Sequence, residues 1–151
     1  MLIGLCANSP IGKNVMTNIK SILIVEDDEI DRKALRRYLQ GERPDAEIVE
    51  CHNCADGFSA MAKKDFDCIL LDYQLPDGDG IEFLQKLILS DFRCPPILFL
   101  TGQGDELLAV EALRSGAADY IPKDILSANR LNRSIDNAIR IHQLEARAKD
   151  A

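Results

Sequence analysis

Short apolar runs alternate with amphipathic segments along most of this chain. Five runs are apolar at nearly every position, and they span residues 21–26, 47–51, 68–71, 96–101 and 119–122. Strands that are apolar on both faces are typical of a parallel sheet, because helices cover both of its sides. We therefore predict five buried strands in one parallel sheet.

The segments between the runs have the spacing of amphipathic helices. The apolar faces of the first, third and fourth helices are predicted to contain Ile30, Ala34, Leu35, Tyr38 and Leu39; Ile81, Leu84, Leu87 and Ile88; and Leu107, Val110 and Leu113. The fifth helix is predicted over residues 128–147, with apolar positions at Leu131, Ile135, Ala138, Ile139 and Ile141. It is longer than a helix that only covers a sheet needs to be.

Start and stop signals agree with these helices. The spacing of a helix N-cap occurs in two pairs, Asn53 with Asp56 and Asp79 with Glu82. Gly41 and Gly116 follow the first and fourth helical patterns, where a left-handed glycine commonly ends a helix.

The alternation of strands and helices predicts a single doubly wound α/β domain. Its crossovers are expected to be right-handed, with five helices flanking a five-stranded parallel sheet. We place the domain core at residues 20–126 and the fifth helix with a C-terminal extension at residues 127–151. Residues 1–19 lack helical or strand periodicity, so we expect a poorly ordered extension there.

Composition narrows the class of protein. The chain has 151 residues, with 46% hydrophobic and 28% charged residues, which is typical of one globular domain. A net charge of −7 argues against direct nucleic-acid binding, which depends on Lys and Arg. No apolar run is long enough to span a membrane. Five cysteines and no secretion signal predict free thiols and a cytoplasmic location.

Polar residues follow four of the predicted strands. An acidic run at residues 26–29 follows the first strand, Asp72 the third, Thr101 and Gly102 the fourth, and Lys123 the fifth. Ligands of open α/β sheets bind beyond the carboxyl ends of the strands. In a sheet of strand order 2-1-3-4-5, these groups converge on one pocket.

Carboxylates that lie side by side repel one another, so this pocket needs cations. Lys123 supplies one positive charge, and Mg²⁺ suits a shallow site with oxygen ligands. A carboxylate beside Mg²⁺, an ammonium and a hydroxyl are the parts that phosphoryl transfer requires. The sequence therefore indicates a carboxylate that accepts a phosphoryl group.

These residues resemble the receiver domain of two-component response regulators, a CheY-like family with a flavodoxin-like fold. The resemblance covers roughly residues 20–140. It rests on four motifs in order, at residues 22–28, 70–80, 100–102 and 116–123. Each motif alone is weak, but all four at strand ends form a specific signal.

The resemblance assigns roles around the phosphorylation site. It implies that Asp72 is the phosphoacceptor, and that Asp28 binds Mg²⁺ directly while Asp27 binds it mainly through water. The backbone carbonyl of Gln74 is implied as a further metal ligand. Thr101 is implied to hold the phosphoryl oxygens.

Three more roles follow from the same resemblance. Lys123 is implied to hold the phosphoryl oxygens together with Thr101, and Tyr120 to turn inward as the switch aromatic. Gly102 is implied to leave room for the phosphodonor. Asp124 stands where the family often has a proline after this Lys, so we predict a trans peptide bond between Lys123 and Asp124.

The resemblance also implies partners. A sensor histidine kinase or a phosphotransfer protein is expected to donate the phosphoryl group. The fourth helix, fifth strand and fifth helix are expected to change and to bind a downstream protein or an output domain of the same protein. The same surface is a candidate homodimer interface. Mg²⁺-assisted hydrolysis is expected to remove the phosphoryl group, without enzymatic turnover.

Two other functions are alternatives for an α/β domain with these residues. A constitutive interaction or dimerisation module would act through the long fifth helix. A phosphatase of the haloacid dehalogenase type would need an Asp-x-Asp motif after the first strand and a cap domain, and the sequence has neither.

Individual residues also have plainer interpretations. Asp28 could N-cap the first helix with Asp31 at its third position, and Tyr120 could be a half-buried edge-strand tyrosine. Cys51 and Cys54 have CxxC spacing without a second pair, so we interpret them as ordinary thiols.

Overall fold

A computed structural model describes residues 19–90, 93–102 and 104–150. Almost all of the predicted N-terminal extension, including Cys6, lies outside these residues. The strands of the main sheet are β1 (Ser21–Val25), β2 (Glu47–Cys51), β3 (Cys68–Asp72), β4 (Ile97–Thr101) and β5 (Asp119–Pro122). The helices are α1 (Glu29–Glu42), α2 (Cys54–Lys63), α3 (Gly80–Leu89), α4 (Glu106–Arg114) and α5 (Ala128–Asp150). A short hairpin of Gln74–Leu75 and Gly78–Asp79 joins β3 to α3.

The five main strands form a parallel sheet in the order β2-β1-β3-β4-β5. This confirms the predicted strand order and fold class. The chain builds the sheet in one direction from β1 to β2 and in the other from β3 onward, so the strand order switches between β1 and β3, where doubly wound sheets bind ligands.

Each face of the sheet carries its own apolar core, because successive side chains of a strand point to opposite faces. On one face, alternate strand residues pack against α1 and α5; this cluster includes Ile22, Ile24, Leu70, Leu98, Leu35, Leu39, Leu131 and Ile135. On the other face they pack against α2, α3 and α4; this cluster includes Leu23, Val25, Leu71, Phe99, Met61, Phe83, Leu84 and Ala112.

The predicted N-caps are confirmed. The side chain of Asn53 accepts a hydrogen bond from the backbone N–H of Asp56 at the start of α2. The side chain of Asp79 does the same for Glu82 at the start of α3. These two caps fix where both helices begin.

Gly116 ends α4 as predicted, with a φ of 115° that favours glycine. The N–H of Gly116 donates to the carbonyl of Leu113, and the N–H of Ala117 to that of Ala112. This is the hydrogen-bond pattern of a Schellman motif. The prediction for Gly41 was wrong, because Gly41 is helical and α1 continues to Glu42.

The buried face of α4 also differs from the prediction. Leu107, Val110 and Leu113 are exposed, Leu107 to 86%, while Ala109 and Ala112 are buried. Apolar residues occupy two adjacent stripes of this short helix, so spacing alone did not identify the inner one. The stripe with small alanines packs on the sheet, and the stripe with larger side chains faces outward.

Three further apolar positions differ in the same way. Ile30 is 79% exposed in the first turn of α1, and Ile88 and Ile141 are about half exposed. Ile30 precedes the packed part of α1, in which Arg32 is the first buried residue. Of the remaining predicted positions, Ala34 and Tyr38 are half-buried, and the buried ones are Leu35, Leu39, Ile81, Leu84, Leu87, Leu131, Ile135, Ala138 and Ile139.

Gly80 permits the close approach of α3 to the end of β3. Its N–H donates to the carbonyl of Tyr73 at 2.7 Å. A Cβ atom at Gly80 would lie 2.7 Å from the carbonyl oxygen of Asp72 and 2.7 Å from a ring carbon of Phe99. Backbone and a packed ring cannot move aside cheaply, so this position requires glycine.

We predict that Gly80→Ala lowers the free energy of unfolding by about 1–3 kcal/mol, the usual cost of overpacking a core. Gly41→Ala is the matched control, because a Cβ atom at Gly41 meets nothing within 4 Å. Since alanine is the better helix former, the control should gain about 0.5–1 kcal/mol. Urea unfolding of both variants measures this, and equal stability of the two variants would contradict the prediction.

Candidate phosphorylation site

The polar residues that follow the strands lie at one edge of the sheet. Asp72 and Thr101 are the last residues of β3 and β4. Glu26 continues the pairing of β1, since its N–H donates to the carbonyl of Cys51 at 3.0 Å. Lys123 directly follows β5. Parallel strands therefore bring these residues together, as the sequence predicted.

The ammonium of Lys123 is the centre of the site. Its Nζ lies 2.8 Å from Glu26 Oε1, 3.2 Å from Asp72 Oδ1 and 3.0 Å from Asp31 Oδ2. The Glu26 side chain is fully buried, and the Asp72 side chain is 10% exposed. Lys123 thus compensates two buried carboxylates that would otherwise be costly to keep charged.

Three carboxylates form a group that could hold a metal ion. One oxygen each from Glu26, Asp27 and Asp72 lies within 4.8 Å of the others. Hard oxygen donors and partial exposure through Asp27 fit Mg²⁺, which keeps several waters and binds few protein carboxylates. The residues present therefore suit the cation that the sequence indicated.

Burial and crowding alter the acidity of these groups. Loss of water raises the pKa of Glu26 to about 7, although the hydrogen bond from Lys123 opposes the shift; repulsion from Asp72 adds to it. Burial also raises the pKa of Asp72 against the attraction of Lys123. Burial alone would lower the pKa of Lys123, but hydrogen bonds to Glu26 and Asp31 raise it above its usual value.

Asp28 does not lie in the group of three carboxylates. Its Oδ1 accepts a hydrogen bond from the N–H of Asp31 at 3.0 Å, so Asp28 is the N-cap of α1. Glu26 takes the place that the prediction gave to Asp28. The chain leaves β1 with Glu26 still in strand pairing and pointing into the pocket, and by Asp28 it has turned into the helix. The plainer interpretation of Asp28 is the one that fits the structure.

Arg32 supports the acidic loop and was not predicted from the sequence. Its guanidinium donates to the carbonyl oxygens of Glu26 at 2.9 Å and Asp27 at 3.3 Å, and to Glu50 Oε1 at 3.2 Å. Arg32 is buried on the same face of α1 as Leu35. A charged residue at an apolar position of a helix was the available signal, because buried charges require partners.

The other predicted site residues lie in or next to the strands of the main sheet. Thr101 is buried at the end of β4, and Gly102 follows it with its N–H donating to Asp105 Oδ2 at 3.1 Å. Gln74 lies two residues after Asp72 in the short hairpin. Tyr120 is half-buried against the core that α2, α3 and α4 cover. The functional roles of these residues stay predictions.

Lys123 is followed by Asp124 and not by a proline. The peptide bond between them is trans, as predicted, since the described residues contain no cis peptide bond. Of the predicted free thiols, Cys51, Cys54, Cys68 and Cys94 are unpaired, and Cys6 is outside the described residues.

A doubly wound sheet with acidic and basic groups at its carboxyl edge serves many functions, and comparison with known proteins identifies the family. The family described as response regulator receiver domain matches residues 22–136. The chain belongs to this family, whose general role is phosphorylation-dependent two-component signalling.

Individual relatives agree with this assignment. The chain is 34% identical over 134 residues to the transcriptional regulatory protein SrrA of Staphylococcus aureus. The aligned region covers 85% of this chain and 54% of SrrA. The chain thus spans about half the length of the curated relatives it matches.

Solved structures are similar as well. A two-component response regulator from Clostridium difficile is 26% identical with a TM-score of 0.71, over 80% of this chain and 96% of that one. The receiver domain of NtrX from Brucella abortus is 27% identical with a TM-score of 0.67, over 78% and 97% of the two chains.

Within the part of the chain that the structure describes, no helix combines the length and the apolar character that a membrane crossing requires.

Glu26 yields a prediction about stability and pH. Its pKa rises from 4.5 to about 7 on folding, so the folded protein binds more protons than the unfolded chain between these values. Stability from this group is therefore fully present below pH 4.5 and lost as pH rises through 7. We expect Glu26→Gln to gain stability relative to wild type as pH rises from about 5 to about 8.

Urea unfolding in the presence of a chelator measures this difference without bound metal. Glu42→Gln removes a carboxylate at the exposed end of α1 and serves as the control. A stability difference between wild type and Glu26→Gln that is the same at both pH values would contradict the prediction.

Proposed function

We propose that this receiver domain accepts a phosphoryl group from a phosphohistidine onto Asp72, with the help of Mg²⁺. The proposal rests on one contact: Lys123 Nζ lies 3.2 Å from Asp72 Oδ1, beside the carboxylates of Glu26 and Asp27. A nucleophilic carboxylate, a fixed ammonium and a candidate cation site are what phosphoryl transfer requires.

In the proposed step, a carboxylate oxygen of Asp72 attacks the phosphorus atom of the phosphohistidine. A P–O bond forms while the P–N bond breaks, and the electron pair of that bond returns to the imidazole nitrogen. Lys123 pairs with one oxygen of the transferred group, and the hydroxyl of Thr101 donates a hydrogen bond to another. The product is an acyl phosphate on Asp72.

Asp27, Asp72 and the backbone carbonyl of Gln74 would hold Mg²⁺, with Glu26 close by. This set omits Asp28, because Asp28 caps α1. When bound, Mg²⁺ would neutralise the charge that gathers on the carboxylates and on the phosphoryl oxygens. Hydrolysis of the acyl phosphate in the same pocket would return the domain to its starting state, so we do not class it as a turnover enzyme.

The proposed response is a change of the surface formed by α4, β5 and α5. Thr101 would move toward the phosphoryl group and Tyr120 would turn inward. The outward stripe of Leu107, Val110 and Leu113 on α4 supports a protein-binding role, since adjoining exposed apolar side chains mark interaction sites. The partner would be a downstream protein, an output domain of the same protein, or a second copy of the chain.

A constitutive interaction module is the second candidate. The observation that favours it is the length of α5, which has 23 residues, and the exposure of Ile141 and Leu144 on it. In this case α5 would pair with a partner helix whether or not Asp72 is phosphorylated.

We predict that incubation with Mg²⁺ and acetyl phosphate adds one phosphoryl group to the wild-type chain. Asp72→Asn should abolish the addition, because the nucleophilic oxygen is replaced by an amide, and a chelator should abolish it as well. Intact mass spectrometry measures the product. An unlabelled wild type, under conditions that label another receiver domain, would favour the constitutive module.

Matched variants of the acidic loop test the metal ligands. Asp27→Asn should weaken Mg²⁺ binding by at least about tenfold, the scale of change seen when groups around a metal site are altered. Asp28→Asn should bind Mg²⁺ as wild type does, since asparagine preserves the N-cap.

The chain has no Trp. Tyrosine fluorescence, to which Tyr73 beside Asp72 contributes, can therefore report the titration. A larger loss in Asp28→Asn than in Asp27→Asn would restore the original assignment.

A further inference from the structure

The Lys123 ammonium lies within ion-pair distance of three carboxylates. A lysine ammonium has three N–H bonds and no acceptor. In this chain its neighbours are Glu26 at 2.8 Å, Asp31 at 3.0 Å and Asp72 at 3.2 Å. The contact with Asp31 is also a hydrogen bond from Nζ to Oδ2, at 3.0 Å. An oxygen of an incoming phosphoryl group would compete with these carboxylates for the same ammonium.

Burial indicates which contact exchanges. The Glu26 side chain is fully buried, and breaking a buried pair leaves an uncompensated charge. Asp72 itself carries the new group. The Asp31 side chain is 40% exposed, so water can solvate its carboxylate when Lys123 leaves. Asp31 is thus the partner that Lys123 can give up at the lowest cost.

Asp31 is not required for the cap of α1. The cap uses the backbone N–H of Asp31 as donor to Asp28, while the Asp31 carboxylate reaches across to Lys123. The carboxylate also adds a fourth negative charge near the group of Glu26, Asp27 and Asp72. This charge would repel an incoming anionic phosphoryl group, and Asp31 would compete with that group for the ammonium. Both effects oppose phosphorylation of Asp72.

We propose that Asp31 is a positioning residue that restrains phosphorylation of Asp72 by holding the Lys123 ammonium away from the incoming phosphoryl group. The inference rests on the proposed function, since it concerns the rate at which that site reacts. Asp31 itself touches no reacting atom, and it acts only through Lys123.

The test compares Asp31→Asn with Glu29→Gln in the full chain. Both variants remove one negative charge from the first turn of α1. Glu29 pairs with Lys33 at 2.9 Å and has no contact with Lys123, so it controls for net charge and for the helix terminus. The initial rate of labelling by subsaturating acetyl phosphate, with Mg²⁺ present, is followed by intact mass.

We expect Asp31→Asn to react roughly two- to fivefold faster than wild type and Glu29→Gln to remain near wild type, as suits a partly exposed ion pair. The advantage should shrink as salt is raised, because salt screens exposed charges. The NMR signal of the Lys123 ammonium should shift in Asp31→Asn and not in Glu29→Gln, and this readout is independent of the reaction.

The outcomes separate this inference from the proposed function. Labelled wild type with equal rates for both variants, or a slower Asp31→Asn, overturns the role of Asp31 and leaves the proposed function intact. An unmoved Lys123 signal in Asp31→Asn overturns the contact itself. A wild type that cannot be labelled overturns the proposed function and removes the inference with it.

Discussion

The ion pairs of Lys123 with Glu26 and Asp72 are the interactions on which the rest of the site depends. Glu26 is fully buried and Asp72 nearly so, and neither could stay charged there without a cation. The compensating charge comes from the residue after β5, two strands away from β3. Parallel pairing of β3 with β4 and of β4 with β5 is what brings the ammonium to the carboxylates.

The same electrostatic imbalance explains why the pocket suits a divalent cation and a phosphoryl group. Lys123 offsets only part of the negative charge of Glu26, Asp27, Asp31 and Asp72. The backbone around these groups is firmly held, because Arg32 binds the carbonyls of Glu26 and Asp27 and Gly80 lets α3 pack on the end of β3. Rigid support with incomplete charge compensation favours binding of a cation from solution.

Much of the fold could be predicted, because local rules and the global fold agree in it. Apolar runs predicted the five strands, and cap spacing predicted the starts of α2 and α3.

The errors arose where two local rules competed. In α4, Leu107 and Ala109 belong to adjacent apolar stripes, and only the packed sheet decides which is buried. In the acidic run, Glu26 and Asp27 belong to the carboxylate group and Asp28 caps α1, so the predicted pair of Asp27 and Asp28 is displaced by one residue. The contacts of Arg32 and Asp31 join distant residues and have no local pattern.

We expect the pocket at Asp72 to accommodate a divalent cation and a phosphoryl group together. A crystal structure grown with Mg²⁺ and beryllium fluoride, which mimics a phosphoryl group, tests it most directly. We predict the fluoride adduct on Asp72, contacted by Lys123 and Thr101, with the metal bound by Asp27. An adduct elsewhere, or a Lys123 side chain turned away from Asp72 with no metal at Asp27, would contradict the account.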